Sequence, residues 1–231
     1  SNDENPELFW ALRGGGGNFG IVTSFTFRLH EVGPTVTAGM IVWPAARAKE
    51  VLARFAEVAG ASTRDLTLVS TMRLAPPAPF LPKEAHGKPI VGIVACHTGT
   101  LSQAEKDLAP IRELGEPLVD LITQKTYVAQ QTMLDATQPK GLHYYWKSEY
   151  LPALTDEILD TYRAHGTLVP TAQSQIFMFQ VGGAIADRPV DDGAVGNRDA
   201  QFVFGAAGAW LPDDPGGPEH MSWVRGAWDS M

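Results

Sequence analysis

The chain has little cysteine, a deficit of positive charge and no long apolar run. Its 231 residues include a single cysteine, Cys96, which excludes an internal disulfide framework. The 18 Lys and Arg are outnumbered by 26 Asp and Glu, so the basic surface that nucleic acid binding needs is lacking. No apolar stretch approaches the ~20 residues of a membrane span. With 44% hydrophobic residues, the composition predicts a soluble globular protein without a nucleic acid or membrane partner.

Motifs of two catalytic classes are also missing. The histidines show neither an HExxH motif nor another paired metal-ligand spacing, so no metal site is predicted. They are His30, His86, His97, His143, His165 and His220. A serine nucleophile would need a G-x-S-x-G elbow, which the sequence lacks. Cys96 lies in an apolar strand pattern and is predicted to be a buried small hydrophobe.

Four consecutive glycines, residues 14–17, separate a helical pattern over 6–13 from a β-rich run over 21–29. Such a run indicates backbone with positive φ or a ligand packed on the main chain. Gly15, Gly17 and Gly20 match the dinucleotide pattern G-x-G-x-x-G, but that fingerprint needs a strand before the glycines and a helix after them. The order here is reversed, which argues against a nicotinamide Rossmann site. The purely structural alternative is a glycine-terminated helix with a tight turn into a strand.

The periodicity after residue 34 predicts a β-α-β-β-α-β unit. Strands are expected at 36–43, 66–74, 89–98 and 116–123, with helices at 45–59 and from Ser102 to about 114. Ser102 and Glu105 form a possible capping box for the second helix, and Pro110 should bend it. This order of elements is the ferredoxin-like split unit.

The second half repeats the arrangement more loosely. Strands are expected at 142–150, 173–181 and 200–210, a helix at 155–165 opened by Thr155, and a helix from Pro218 onward. Met221, Val224, Trp228 and Met231 are predicted to line one face of the last helix. The repeat would need one more strand. The fold class is therefore α+β: a large antiparallel sheet with helices on one face, built as tandem ferredoxin-like units, the second incomplete.

Residues 5–34, NPELFWALRGGGGNFGIVTSFTFRLHEVGP, resemble the hallmark segment of FAD-linked oxidases of the berberine-bridge-enzyme-like group. This group belongs to the vanillyl-alcohol-oxidase superfamily, with its PCMH-type FAD-binding domain. Weaker similarity continues at Trp43-Pro44, at 182–186, at 197–200 and from Trp210 to Arg225. The resemblance implies an FAD-dependent oxidase that transfers hydride from a C–H bond of an alcohol, sugar or amine-type substrate to flavin, with O₂ as acceptor. The alternative is a non-catalytic tandem ferredoxin-like module for ligand binding or dimerisation.

The resemblance also implies a division of the chain. Residues 1–34 would be the C-terminal remnant of the FAD-binding domain, and residues 35–231 a substrate domain truncated before its last strand. Residues at the glycine turn would contact FAD, namely Gly16, Gly17, Asn18, Gly20, Ile21 and Val22. The catalytic residues and any residue attached covalently to FAD are expected outside this chain. The remainder of the FAD-binding domain would be its partner, and the isolated fragment is expected to be inactive.

In the resembling family the exposed sheet face covers the flavin and binds substrate. Alternation places Gln175, Phe177 and Phe179 on one face of a strand and groups Phe202 and Phe204 in the next. These five are the predicted substrate residues, although each could equally be a core residue. Other residues receive structural predictions. The aromatic strand with Tyr144, Tyr145, Trp146 and Tyr150 would be mostly core, with one or two of its side chains able to reach the pocket mouth. The acidic stretch with Asp187, Asp191, Asp192 and Asp199 would be a solvated connection anchored by an Arg198–Asp199 ion pair.

Overall fold

The computed structural model describes residues 1–231 and is organised around one antiparallel sheet of eight strands. The strand order is β4-β1-β3-β2-β7-β8-β6, and β5 also pairs with β1. The strands are β1 (Thr35–Pro44), β2 (Leu66–Leu74), β3 (Pro89–His97), β4 (Val119–Asp120), β5 (Thr123–Thr126), β6 (His143–Leu151), β7 (Gln175–Gln180) and β8 (Phe202–Trp210). The helices are α1 (Pro6–Leu12), α2 (Ala48–Ala61), α3 (Leu101–Arg112), α4 (Tyr127–Gln131), α5 (Asp156–Thr167) and α6 (Gly217–Asp229).

Two ferredoxin-like units make up the sheet. The first contains β1-α2-β2-β3-α3 followed by β4 and β5, and the second contains β6-α5-β7-β8-α6. Strands β2 and β7 join the units, with Val69 opposite Phe179 and Arg73 opposite Gln175. The predicted α+β class and the tandem arrangement are confirmed. In place of the predicted strand at 116–123 the chain has two short strands, β4 and β5, and Leu121 between them passes close to Gly39 of β1. A Cβ at Gly39 would lie 2.7 Å from the carbonyl carbon of Leu121.

The main hydrophobic core lies between the sheet and helices α2, α3, α5 and α6. Helix α2 buries Val51, Leu52, Phe55 and Val58, the i, i+3, i+4 spacing of an amphipathic helix. The largest fully buried side chains include Trp43, Tyr162 and Phe204. Packing against the sheet thus accounts for these helices more than intrinsic propensity does. No helix is both long enough and apolar enough to cross a lipid bilayer.

The helix ends differ in detail from prediction. Thr155 caps α5 as predicted, with its hydroxyl accepting a hydrogen bond from the Ile158 amide at 3.3 Å. The predicted cap of α3 is wrong: Thr100, two residues before Ser102, is extended and accepts from the Gln103 amide. The predicted face of α6 is only partly right. Its buried positions are Gly217, His220, Val224 and Ala227, so of the predicted face only Val224 is fully buried.

Residues 20–33 do not form the predicted strand. The segment makes no sheet pairs, and Ile21, Phe27 and Leu29 are 94%, 72% and 86% exposed. Alternating apolar residues favour extended backbone, but a strand also needs a neighbour to bond its N–H and C=O groups. Both sides of β1 are already occupied, by β3 on one side and by β4 and β5 on the other. No other strand of this chain pairs with the segment.

Candidate functional site

The sheet face opposite the four packed helices carries a group of partly exposed aromatic side chains in the second unit. We call them the aromatic cluster: Tyr144, Trp146 and Tyr150 of β6, and Phe177 and Phe179 of β7. Adjacent rings contact each other edge to face, with centroids 5.9 Å apart for Trp146 and Phe177, and 5.1 Å apart for Phe177 and Phe179. Trp146 is 50% exposed. The cluster is therefore a preformed aromatic surface on the open face of the sheet.

Three of the five predicted substrate residues lie on this open face. Gln175, Phe177 and Phe179 point away from the helices, because the intervening Ile176 and Met178 are fully buried in the core. Gln175 lies opposite Arg73 and Ala207 in the neighbouring strands. An amide therefore borders the aromatic cluster and offers both a hydrogen-bond donor and an acceptor.

The other two predicted substrate residues are core residues, and their assignment is corrected. Phe202 and Phe204 are 5% and 0% exposed. Phe202 packs against Phe55, and Phe204 against Tyr162, each pair with centroids 6.1 Å apart. The cause is the register of β8, in which Phe204 lies opposite Met178 on the helix side of the sheet.

The aromatic residues of β6 were predicted to be mostly core, and this is wrong for three of the four. Only Tyr145 faces the helices, where the guanidinium of Arg225 lies 5.2 Å from its ring centroid. Lys147, one of two charged residues between Trp146 and Tyr150, also lies on the helix side, with its Nζ 3.4 Å from the ring centroid of Trp228. This inverts the usual alternation, in which the charged residues of a strand face water. The signal in the sequence was the regular spacing of Tyr144, Trp146 and Tyr150.

Two further polar groups belong to the open face. Burial lowers the pKa of Arg73 below its usual value, and its guanidinium donates to the Ala172 carbonyl at 3.1 Å. Cys96 is only partly buried and faces the same side as Gln175, whereas the sequence predicted a buried residue. Burial raises the pKa of its thiol, against the smaller opposing effect of Lys125. The thiol is therefore held in its neutral form.

The glycine turn, residues 14–20, follows α1 and is mostly exposed. Gly14 and Gly20 have φ of 123° and 126°, as the glycine run predicted, and L side chains rarely adopt such backbone. Gly17 differs, because its φ is not positive and a Cβ there would meet no atom within 4 Å. Residues 16–19 form a short 3₁₀ turn. The turn thus leaves the backbone of Gly16, Gly17 and Gly20 exposed to solvent.

The connection between β7 and β8 is held by ion pairs rather than being merely solvated. Arg64 donates to both carboxylate oxygens of Asp187, at 2.7 and 2.6 Å, and this bonding holds the pKa of Asp187 below its usual value. The predicted Arg198–Asp199 pair is absent. Arg198 still anchors the connection, since it donates to the backbone carbonyls of Ile185 and Asp192.

Two histidines are paired with single carboxylates. The Nε2 atom of His97 lies 3.0 Å from Asp107, and that of His220 lies 3.0 Å from Asp214. The His220 bond is the main cause of a lowered pKa for Asp214. No group of three or more His, Cys, Asp or Glu side chains is arranged to hold a metal ion. The His97–Asp107 pair joins the end of β3 to α3, and the His220–Asp214 pair joins α6 to the loop before it.

The chain is thus a tandem ferredoxin-like α+β domain with an exposed aromatic surface on the open face of its sheet. No protein-family model matches the chain. An FAD-linked oxidoreductase of Dictyostelium discoideum is 30% identical over 97% of this chain and 47% of its own length. The (R)-6-hydroxynicotine oxidase of Paenarthrobacter nicotinovorans is 36% identical over 55% of this chain and 26% of its own length.

Solved structures share the fold over nearly the whole chain. A variant of berberine bridge enzyme superimposes with a TM-score of 0.78 and 16% identity, over 97% of this chain and 46% of its own. Xylooligosaccharide oxidase of Myceliophthora thermophila, solved with xylobiose, gives 0.76 and 20% identity, over 100% of this chain and 50% of its own. The chain thus spans about half the length of the relatives it matches. The chain is similar in sequence to FAD-linked oxidoreductases and has the fold of the berberine-bridge-enzyme-like oxidases.

Proposed function

We propose that this chain forms the substrate domain and part of the flavin site of a whole protein that is an FAD-dependent oxidase. Residues 35–231 would be the substrate domain and residues 1–34 the adjoining part of the FAD-binding domain. The reaction would transfer hydride from a C–H bond of an alcohol, sugar or amine-type substrate to FAD, with O₂ as the final electron acceptor. The aromatic cluster on the open face carries the proposal, together with the similarity to oxidases named for hydroxynicotine and xylooligosaccharide.

The substrate would bind on the aromatic cluster. Phe177 and Phe179 would contact the faces of a ringed substrate, and Gln175 would bond its polar atoms. Trp146 and Tyr150 join this set, because they expose about half of their surface on the same side. Phe202 and Phe204 are not part of it. FAD would supply the hydride acceptor, and this chain would orient the substrate and exclude water above it.

The glycine turn fits a role in holding FAD. Gly16, Gly17, Asn18, Gly20, Ile21 and Val22 are all exposed, and the backbone at Gly17 is open to a ligand on the side where a Cβ would stand. Successive turn amides can form an anion-binding concavity, which suits a pyrophosphate. The apolar side chains of Ile21 and Val22 would lie against the cofactor or the domain that binds it.

The substitution Gly17→Val in the whole protein tests the flavin contact without straining the backbone. Because Gly17 has ordinary φ and open space around it, the valine should leave the fold unchanged and remove bound flavin. The measurement is the visible flavin absorbance per polypeptide, with far-UV circular dichroism to check folding. Gly226→Ala is the matched control, since that glycine is equally unobstructed but lies on α6. Unchanged flavin in Gly17→Val would contradict the contact.

The unsubstituted whole protein tests the oxidase itself. We expect a yellow protein, or one that takes up FAD when the cofactor is added. A colourless protein that cannot be reconstituted with FAD would instead support the non-catalytic alternative, in which the open face binds a ligand or a second copy.

A further inference from the structure

The connection between β7 and β8, residues 181–201, makes direct contact with α1 across the sequence. We call it the connection loop. The indole Nε1 of Trp10 donates to the Asp191 carbonyl at 2.6 Å, and the Ala194 amide donates to the Trp10 carbonyl at 3.2 Å. Nη1 of Arg13 lies 2.8 Å from Oδ1 of Asp192. Three hydrogen bonds therefore join the C-terminal end of α1 to three loop residues within the stretch 191–194.

Two glycines allow this close approach. A Cβ at Gly14 would lie 2.8 Å from the carbonyl carbon of Ala194, and a Cβ at Gly193 would lie 2.7 Å from the Arg13 carbonyl oxygen. Both distances are shorter than real Cβ contacts. A side chain at Gly14 would therefore collide with the backbone of the connection loop, and one at Gly193 would collide with the backbone of Arg13. Gly14 is also the first residue of the glycine turn. The loop thus touches the turn at the point where it leaves α1.

The connection loop is itself fixed to the sheet domain. Arg64, which precedes β2, holds Asp187 through two bonds. Asp192 lies at the centre of the remaining contacts: its carboxylate pairs with Arg13 and lies 3.8 Å from Arg188, while its carbonyl accepts from Arg198. The contacts therefore run from the sheet domain through the loop to α1.

We propose that the connection loop is a positioning element that sets the glycine turn relative to the open sheet face, with Asp192 as its central positioning residue. The docking of the loop on α1 stands on the contacts themselves. Its consequence for the cofactor rests on the proposed function, because it requires that the glycine turn holds FAD. In that case the loop aligns the flavin with the strands that bind substrate.

Hydrogen exchange on this chain tests the docking. Asp192→Ala removes the carboxylate that pairs with Arg13, and the exchange rate of the Ala194 amide should rise by about 2- to 5-fold, as expected for a partly exposed ion pair. Asp191→Ala is the matched control, since only its backbone carbonyl bonds to α1 and the charge change is the same. Trp10→Phe, which removes the indole donor, should also raise exchange at Ala194. Equal exchange in Asp192→Ala, Trp10→Phe and the control would overturn the proposal.

A second measurement separates the docking from the flavin contact. In the whole protein, Asp192→Ala should weaken FAD affinity by a similar factor, measured by titrating the apoprotein with FAD, while Asp191→Ala should not. Faster exchange with unchanged FAD affinity would support the docking but overturn the positioning role of the loop, whereas the flavin contact itself is decided separately by Gly17→Val. Unchanged exchange would contradict the docking whatever the FAD affinity.

Discussion

The ring of Phe177 lies directly over Gly205 in the neighbouring strand β8. A Cβ at Gly205 would fall well inside the contact distance of three ring atoms of Phe177. The open-face positions of β8 include Gly205, Ala207 and Ala209, so small residues lie between the aromatic side chains of β6 and β7. Because Gly205 has no side chain, the ring of Phe177 lies over β8 and contacts Trp146 on the far side of this strand.

Gly205→Ala should therefore displace Phe177 without unfolding the chain. The φ of Gly205 is not in the left-handed region, and the obstructing atoms belong to a side chain that can rotate. We expect the near-UV circular dichroism of the aromatic cluster to change while the far-UV spectrum remains. Gly226→Ala, on the surface of α6, is the control. An unchanged near-UV spectrum in Gly205→Ala would contradict the described packing.

The two sheet faces should respond differently to loss of an aromatic ring. Phe204 is fully buried between the sheet and α5, so Phe204→Ala should lower the free energy of unfolding by about 3–5 kcal/mol. Phe177 lies on the open face, and Phe177→Ala should cost about 1 kcal/mol through its lost ring contacts. Urea denaturation of this chain measures both values. Similar losses in the two variants would show that the faces are assigned wrongly.

The buried Tyr162 should make stability fall at alkaline pH. Its hydroxyl donates to the Ile176 carbonyl and accepts from Ser70, both at 3.3 Å, and burial raises its pKa above the ordinary value of 10.0. Above that pH the unfolded chain ionises the phenol while the folded chain keeps it neutral, so ionisation favours unfolding. The advantage of the unsubstituted chain over Tyr162→Phe should shrink between about pH 8 and about pH 11.

Urea denaturation at both pH values measures this difference. The matched control is Tyr150→Phe, which removes a hydroxyl from a side chain that is 47% exposed. Its effect on stability should vary less with pH. A constant difference between the unsubstituted chain and Tyr162→Phe across this range would contradict the assignment.

The element order was predictable because hydrophobic period and turn residues act locally. The spacing of Val51, Leu52 and Phe55 identifies α2 from the sequence alone, and Thr155 marks the start of α5. The face assignment was not predictable in β8, since alternation separates Phe204 from Gly205 without showing which side meets the helices. That choice depends on the register with β7, which is a contact between distant segments.

The contacts of the connection loop were equally inaccessible to local patterns. The sequence predicted Asp187 and Asp192 to be solvated acidic residues. In the structure Asp187 pairs with Arg64 and Asp192 with Arg13, each more than 120 positions away in the sequence. The family resemblance identified the glycine turn and the substrate strands as candidates. It could not indicate that α1 docks on the loop between two of those strands.

The unpaired segment at residues 20–33 has a practical consequence for anyone handling this chain. It presents Ile21, Phe25, Phe27 and Leu29 to water on backbone whose N–H and C=O groups have no sheet partner. Such a segment is a template for pairing with an identical copy. We therefore expect this chain to self-associate as its concentration rises, so stability measurements belong at low protein concentration, with light scattering to monitor the particle size.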